Sequence, residues 1–341
     1  MKMRLHRTIP YGLLGCLLLQ GCGLVFDAIQ KTGYAGFSHE VDAICRRGSL
    51  HVGIEAEPRT PFVFPAIWTD EGARVTGLDV QLIQTIVAAL SQRCGRTISP
   101  VIHLVRSRDL FVDLNEGKVD LFASAIAANV PWPAANGVAY SFPYFSNAGV
   151  TVITRSSEVV ERVRRNLQEQ KPSQDSLLKQ LGNQALAGLT VAVQEGSSFH
   201  SYAQMNLTKS RLVLCDSLPA AFETSDPRID VILGGVPILE FQLTRLRKDW
   251  RFITTEAGQP LIFMREHYAV VMDEESYRLR WLVNNLLFEM NESGQLAELQ
   301  HRWLKESYAY PRRAESEGLP FTIERMVEHY NQGACRYAAT A

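Results

Sequence analysis

Apolar positions along the chain follow two periods. Leu50-His51-Val52-Gly53-Ile54 alternates as a short strand, and Gly77-Leu78-Asp79-Val80 opens a segment where Leu82, Ile83, Ile86, Val87 and Leu90 recur at helical spacing. Ile98 to Val105 predicts a second strand, Leu110 to Glu116 a second helix, and Val119 to Ala123 a third strand. Alternating strand and helix is the pattern of a parallel sheet with crossover helices. It restarts at Leu189-Thr190-Val191-Ala192-Val193, passes through Arg211 to Leu214 and reaches Ile229 to Leu233. The expectation is α/β, with two lobes that each carry a sheet. Arg155 to Gln184 between them is charged and poor in apolar residues, which predicts a helical, solvated excursion, with a partner-docking face as the sharper alternative. Leu279, Leu282, Val283, Leu286 and Leu287 predict an amphipathic helix, and Leu296, Leu299 and Trp303 a second. In the tail from Tyr308 to Ala341, Ile323, Met326, Val327 and Tyr330 suit one more docked helix.

The first residues obey a different logic. Lys2, Arg4 and Arg7 precede an apolar run from Ile9 to Leu19. That run is shorter than the roughly 20 apolar residues a bilayer-spanning helix needs, and it fits an export signal. It ends in Leu19-Gln20-Gly21-Cys22, which resembles a bacterial lipoprotein processing box with Cys22 as the lipidated residue. Leu13-Leu14-Gly15-Cys16 is a rival box, and a soluble form cleaved nearby is the plain alternative. Lipid on Cys22 implies residence in the cell envelope, anchored to a membrane without a spanning helix. With Gly23 after the Cys, a Gram-negative cell would place it on the periplasmic face of the outer membrane, residues 23–44 serving as a tether.

Composition narrows the classes. The chain has 341 residues and a net charge of -1, with 46% hydrophobic and 21% charged residues, ordinary for a globular protein and unlike a disordered one. Loss of residues 1–21 removes three basic residues and no carboxylate, taking the net charge to -4. Such a chain lacks the broad basic field of a nucleic-acid binder. Cys45, Cys94, Cys215 and Cys335 remain in the body, where an oxidising compartment favours disulfides. Cys45 precedes a strand and Cys94 ends the next helix, two points at one end of a strand–helix unit. Cys45–Cys94 is therefore the favoured pair, against free buried thiols, with Cys215–Cys335 as the remainder. No Cys-x-x-Cys and no His pair at ligand spacing suggests a zinc site.

Several segments together resemble the polar-amino-acid type of extracytoplasmic solute-binding protein, solute-binding family 3. They are Val52-Gly53-Ile54 with Pro61-Phe62, then Gly77-Leu78-Asp79-Val80, then Leu110-x-x-x-Leu114-x-x-Gly117-Lys118-Val119-Asp120. Tyr140-Ser141-x-Pro143-Tyr144, Val191-Ala192-Val193-Gln194-x-Gly196-Ser197-Ser198, Ile229-Asp230-Val231-Ile232 and the Gly294 to Trp303 segment follow in the family's order. The resemblance implies a two-lobed periplasmic-binding-protein fold of type II. In it each lobe is a mostly parallel sheet flanked by helices, and two hinge crossings let the lobes close on a ligand. It divides the chain into a signal peptide (1–21), a lipidated Cys with its tether (22–47), lobe 1 (48–146 and 265–308), lobe 2 (147–264, with the excursion at 155–184) and a C-terminal extension (309–341). The crossings are expected near Phe145–Val150 and Thr255–Met264.

The family's two ligand anchors are missing. Its amino-acid binders carry an Arg after the third strand that clamps the ligand carboxylate; that position falls on Trp132 counted from Asp120, or on Ala134 counted from Tyr144. No Arg occurs between Asp120 and Tyr144, so the bidentate fork is absent. The Asp that holds the ligand ammonium falls on Gly235. A standard α-amino acid is therefore expected to bind poorly. The ligand-binding residues expected instead are Glu55, Arg59, Phe62, Ser124, Asn129, Trp132, Gly196, Ser197, Ser198 and Gly235, with Arg106 and Arg108 nearby. Gly196-Ser197-Ser198 could hold a carboxylate through its amides, or simply cap a helix. Arg59 and Trp132 suggest an acidic ligand with an aromatic or flat portion.

The functional expectation is a solute-binding protein, a monomer working with an ABC permease or a membrane sensor, with no catalytic residue, cofactor or metal. A degenerate binding module that acts as an envelope interaction protein is the alternative. A cyclohexadienyl-dehydratase-like enzyme comes third, because it needs a general acid in the cleft and only Glu55 stands out.

Overall fold

The computed structural model describes residues 39–70, 72–107, 109–128, 136–168, 177–224, 226–245, 249–321 and 334–338. The export signal, Cys16, Cys22 and residues 23–38 of the expected tether lie outside this set. So do Arg108, Asn129, Trp132 and the Ile323 to Tyr330 stripe.

In chain order the first part comprises α1 (Glu40–Arg47), β1 (Ser49–Glu55), β2 (Ile67–Thr69), β3 (Gly72–Val75), α2 (Leu78–Cys94), β4 (Ser99–Val105), α3 (Leu110–Asn115), β5 (Leu121–Phe122) and β6 (Val138–Tyr140). The middle comprises β7 (Phe145–Thr154), α4 (Ser157–Gln168), α5 (Leu177–Ala185), β8 (Thr190–Gln194), α6 (Ser198–Asn206), β9 (Arg211–Cys215), α7 (Leu218–Glu223), β10 (Val231–Gly235), α8 (Val236–Arg245) and β11 (Arg251–Phe252). The last part comprises β12 (Met264–Tyr268), β13 (Val271–Asp273), α9 (Tyr277–Glu292), α10 (Gln295–Leu304), α11 (Arg312–Glu317), β14 (Leu319–Phe321) and β15 (Cys335–Tyr337).

These elements build two lobes around two sheets. The first sheet has the order β4-β1-β5-β13-β6, parallel from β4 to β5 and antiparallel beyond. The second has the order β11-β7-β10-β8-β9-β15, with β10, β8 and β9 parallel. All five residues of β8 are buried, as expected of a strand covered on both faces, which is why its sequence is a run of apolar residues interrupted only by threonine and glutamine. In α2 the helical stripe of Leu82, Ile83, Ile86, Val87 and Leu90 is buried, and Gly95, at φ 62, ends the helix.

Two boundaries differ from the sequence expectation. Helix α1 lies inside the expected tether, yet Val41 and Ile44 are buried in the core and Asp42 pairs with Arg278 of α9. It belongs to the first lobe. The strand beside Phe145–Val150 is β12, paired antiparallel from Met264 to Tyr268, so the second crossing runs later than Thr255–Met264. The excursion holds two helices, α4 and α5, with Val159 and Val163 of α4 buried. The C-terminal extension adds β14 to β3 and β15 to β9, neither of which its short apolar stripe announces. Cys45 is joined to Cys94, and Cys215 to Cys335 across the β9–β15 pair.

Candidate ligand-binding cleft

Ligands of open α/β sheets bind at the carboxyl ends of the parallel strands. Here β1 ends at Glu55, β8 at Gln194 and β10 at Gly235. The strand ends of the two lobes meet directly: Gln194 Nε2 donates to Glu55 Oε1 at 2.9 Å, and Ser107 Oγ donates to the same oxygen. Arg59 lies in the turn after β1, where Arg59 N–H donates to Val63 O at 2.9 Å and Phe62 N–H to Arg59 O at 2.8 Å. That turn folds the guanidinium back onto Glu55. Arg59 Nη2 donates to Glu55 Oε1 at 3.0 Å and to Ser107 Oγ at 3.1 Å, and Arg59 Nε pairs with Glu55 Oε2. Both residues are 1% exposed. The guanidinium also lies 5.9 Å from the ring centre of Phe199, on the second lobe.

The turn has a fixed seat. Leu78 N–H donates to Pro61 O and Asp79 N–H to Phe62 O, each at 3.1 Å, so this backbone satisfies the N-terminus of α2. A Cβ at position 77 would stand 2.1 Å from Phe62 O, so only glycine allows the approach. Asp79 Oδ2 in turn accepts from Ala125 N–H at 2.7 Å and holds the segment after β5.

Burial dominates the electrostatics. It pushes Glu55 up to about 8 against the pull of Arg59. Burial works to lower Arg59, but Glu55 more than offsets it and the pKa is raised. Asp79 and Glu266 are each pushed up by burial to about 7. The Ser198 hydroxyl is close enough to Glu266 to hold its pKa down, although it forms no well-directed hydrogen bond. Arg59 Nη1, both carboxyl oxygens of Glu266 and Tyr268 Oη are buried without a hydrogen-bond partner within the protein. Glu266 and Arg59 interact electrostatically, and Tyr268 with both, so these orphaned groups share one region. Buried polar groups left in this state call for an explanation.

The expected residues fall in several roles. Glu55 stands buried at the centre of the cleft, where the two lobes meet. Arg59 is not a wholly open cation: Glu55 and Ser107 hold its Nε and Nη2, and only Nη1 is left for a ligand. Phe62 is fully buried, edge-on to Phe145 at 5.4 Å and to Tyr268 at 5.2 Å, and packs the hinge. Ser124 Oγ accepts from Glu55 N–H at 2.8 Å and donates to Ala123 O at 2.7 Å, fixing the end of β1. Gly196 N–H donates to His200 Nδ1 at 3.2 Å, and Ser197 Oγ accepts from His200 N–H at 3.1 Å. The Ser197 hydroxyl therefore caps α6, and the Ser198 hydroxyl is buried without a hydrogen-bond partner. A Cβ on Gly235 would lie 2.7 Å from Tyr268 Oη and 3.1 Å from Phe199, so these two residues fill the place of the family's ammonium-binding Asp. Arg106 is half-buried and interacts with Glu57.

Sequence reasoning missed Ser107, Gln194, Phe199, Glu266 and Tyr268 as members of this centre. The signal for the last two was present: Glu266 and Tyr268 are the buried positions of β12, where Arg265 is exposed and His267 only half-buried. A carboxylate in the inward register of a strand is the anomaly to notice. A second concavity, of about 310 Å³, opens at the cleft rim between Phe64, Tyr308 and Tyr310 of the first lobe and Phe241 of the second. There Gln242 Nε2 donates to Thr60 Oγ1 at 2.8 Å across the lobes. A larger one, about 460 Å³, lies at the opposite end of the second lobe's strands, beside Arg155, Asp226 and Trp250.

The sequence profile of the bacterial extracellular solute-binding proteins, family 3, matches residues 50–306. No curated protein matches the sequence. Among solved structures, a mutant of ArgBP from T. maritima is 24% identical, covering 78% of this chain and 99% of that one at a TM-score of 0.57. The ancestral amino acid-binding protein AncCDT-1, a precursor of cyclohexadienyl dehydratase, is 21% identical, covering 78% and 99%, with a TM-score of 0.57. The amino acid ABC transporter substrate-binding protein AbpA from Streptococcus pneumoniae, bound to L-arginine, is 20% identical, covering 77% and 98%, with a TM-score of 0.58. At such identities the likeness shows the fold.

Proposed function

The chain belongs to the bacterial extracellular solute-binding proteins, family 3, and on that premise we propose that it closes on a small solute other than a standard α-amino acid, for ABC-type uptake or sensing. It does so as a monomer held at the membrane through lipid on Cys22, on the periplasmic face of the outer membrane in a Gram-negative cell. No described helix is long and apolar enough to cross a membrane.

One observation carries this reading: Gln194 of the second lobe reaches Glu55 of the first around the buried Arg59. The cleft keeps a polar centre that joins the lobes although the amino-acid anchors are gone. Its unfilled capacity is two donors, Arg59 Nη1 and Tyr268 Oη, and the Glu266 carboxyl, beside the flat face of Phe199. That set suits a small flat solute presenting a carboxylate or carbonyl to Arg59 and a donor to Glu266. An α-ammonium in its usual family place meets Tyr268 and Phe199 above Gly235 instead of a carboxylate.

A specific observation also favours the interaction-module reading: Arg59, Glu55 and Gln194 already satisfy much of one another in the closed form. Melting temperature against a panel of amino acids, dicarboxylates and planar heterocyclic acids separates the two. A ligand at one hundred times its dissociation constant adds about 2.7 kcal/mol, a rise of several degrees for a protein this size. The expected result is a rise with a planar acid and none with standard amino acids. A rise with ordinary amino acids would show that Arg59 and Glu266 have replaced the lost anchors, and silence across the panel would favour the interaction module.

A further inference from the structure

Helix α9 is fixed to the first lobe through buried Leu279, Val283, Leu287 and Met290. Its outer side is not the polar surface such a helix normally shows. Tyr277, Trp281 and Phe288 are 47%, 43% and 61% exposed. At about 100° per residue their spacing places them, with Asn284, on one stripe about 60° wide. Phe142 is 59% exposed, and its N–H donates to Asn284 Oδ1 at 2.7 Å, so it borders the same stripe. Four of the seven large apolar side chains left exposed among the described residues thus share one face. Single exposed apolar residues are ordinary; a cluster marks a contact surface.

The chain's entry point lies against this helix. Leu279 N–H donates to Glu40 Oε1 at 2.8 Å, and Arg278 Nη1 pairs with Asp42 Oδ2 at 2.7 Å. Residues 1–38, with the Ile9 to Leu19 apolar run and Cys22, therefore join the fold beside the first turn of α9. Between Cys22 and His39 the chain can span at most about 60 Å fully extended, so a lipid on Cys22 keeps the first lobe within that distance of the bilayer, with the α9 end next to the attachment. Tyr and Trp are the residues that settle at a membrane–water interface. The flanks carry mixed charge, exposed Glu289 and Glu292 on one side and Arg280, stacked on Tyr277 at 5.2 Å, on the other, so the contact needs no anionic lipid.

We infer that the Tyr277–Trp281–Phe288 face of α9, with Phe142, rests on the headgroup region of the membrane, an inference that relies on the proposed Cys22 anchor. It fixes the first lobe on the bilayer and leaves the second free to close.

The full chain, incorporated into zwitterionic phosphatidylcholine vesicles and recovered by flotation, is oxidised with hydroxyl radicals and mapped by mass spectrometry. Trp68, 55% exposed and remote from α9 in sequence, serves as the matched internal reference for Trp281. The expected result is about tenfold less labelling of Trp281 than of Trp68, as for a side chain sunk in the interface. Trp281→Ser with Phe288→Ser should still float, while Tyr277 and Phe142 gain labelling. Floating chain with Trp281 and Trp68 labelled alike overturns the lipid contact and spares the anchor. Chain that does not float overturns both. Protection of Trp281 without flotation assigns the face to a second copy or to the N-terminal segment, and equally overturns the proposal.

Discussion

The first lobe brings Glu55, Arg59, Ser107 and Ser124 to the cleft, whereas the second brings Gln194, Ser198, Phe199 and Gly235, none of which ionises. The two sides therefore do different work. The first lobe holds its own cation through Glu55 and Ser107, and the second contributes one amide, one hydroxyl and a ring. A binding protein whose anchors sit on both lobes uses its ligand's own charges to join them. Here the joining group, Glu55, is part of the chain, and closure does not wait for a zwitterion.

The strongest way to break this asymmetry is to remove its cation. At pH 9, above the raised pKa of Glu55 at about 8, Arg59→Ala leaves a carboxylate buried beside Gln194 without a countercharge, an arrangement that costs about 3 to 5 kcal/mol. A large fall in the urea midpoint is expected, and Glu55→Gln added to it should restore most of the loss. A small loss in the single variant would mean that Glu55 is protonated in the fold and that the first lobe is not self-neutralised.

Much of the framework was legible because it rests on local period: the stripe of α2, the apolar runs of β1 and β8, and the strand–helix order that places their ends together. The centre was legible only where it touched those ends, as at Glu55 and Gly235. Arg59 was noticed but its contact with Glu55 and Ser107 was not, because a turn decides where its guanidinium points and no period describes a turn. Ser197 was ambiguous between cap and ligand, and its capping contact with the His200 amide is a geometric detail that the spacing alone does not give. Glu266 escaped because its burial is a tertiary fact, set by β12 lying against β7 and α6.

Glu266 belongs to neither side of the comparison, and pH sharpens its place. The fold keeps its proton up to about 7, while the unfolded chain releases it near 4.5. The folded state then binds more protons between these values, so stability falls as pH rises from 5 to 7 and levels off above. A shift of this size is worth about 3 kcal/mol, and Asp79 and Glu55 act in the same direction. Melting temperature is expected to fall from pH 5 to pH 8, and Glu266→Gln to flatten that fall. Coincident profiles for the two proteins would remove Glu266 from the set of buried acids.

The smallest expected effect tests the second lobe's share alone. Gln194→Ala deletes the amide that meets Glu55 and leaves that carboxylate with Arg59 and Ser107. A hydrogen bond to a charged acceptor contributes about 1.5 kcal/mol or somewhat more, close to a tenfold change in an equilibrium. Because the bond runs between lobes, the loss should appear in the opening equilibrium, as a larger radius of gyration by solution scattering, with little change in melting temperature. Ser124→Ala is the matched control: its hydroxyl serves Glu55 N–H inside the first lobe, so it should lower the melting temperature and leave the radius unchanged. If both variants lower the melting temperature and neither opens the protein, the lobes unfold as one body and Gln194 is a core contact rather than a latch.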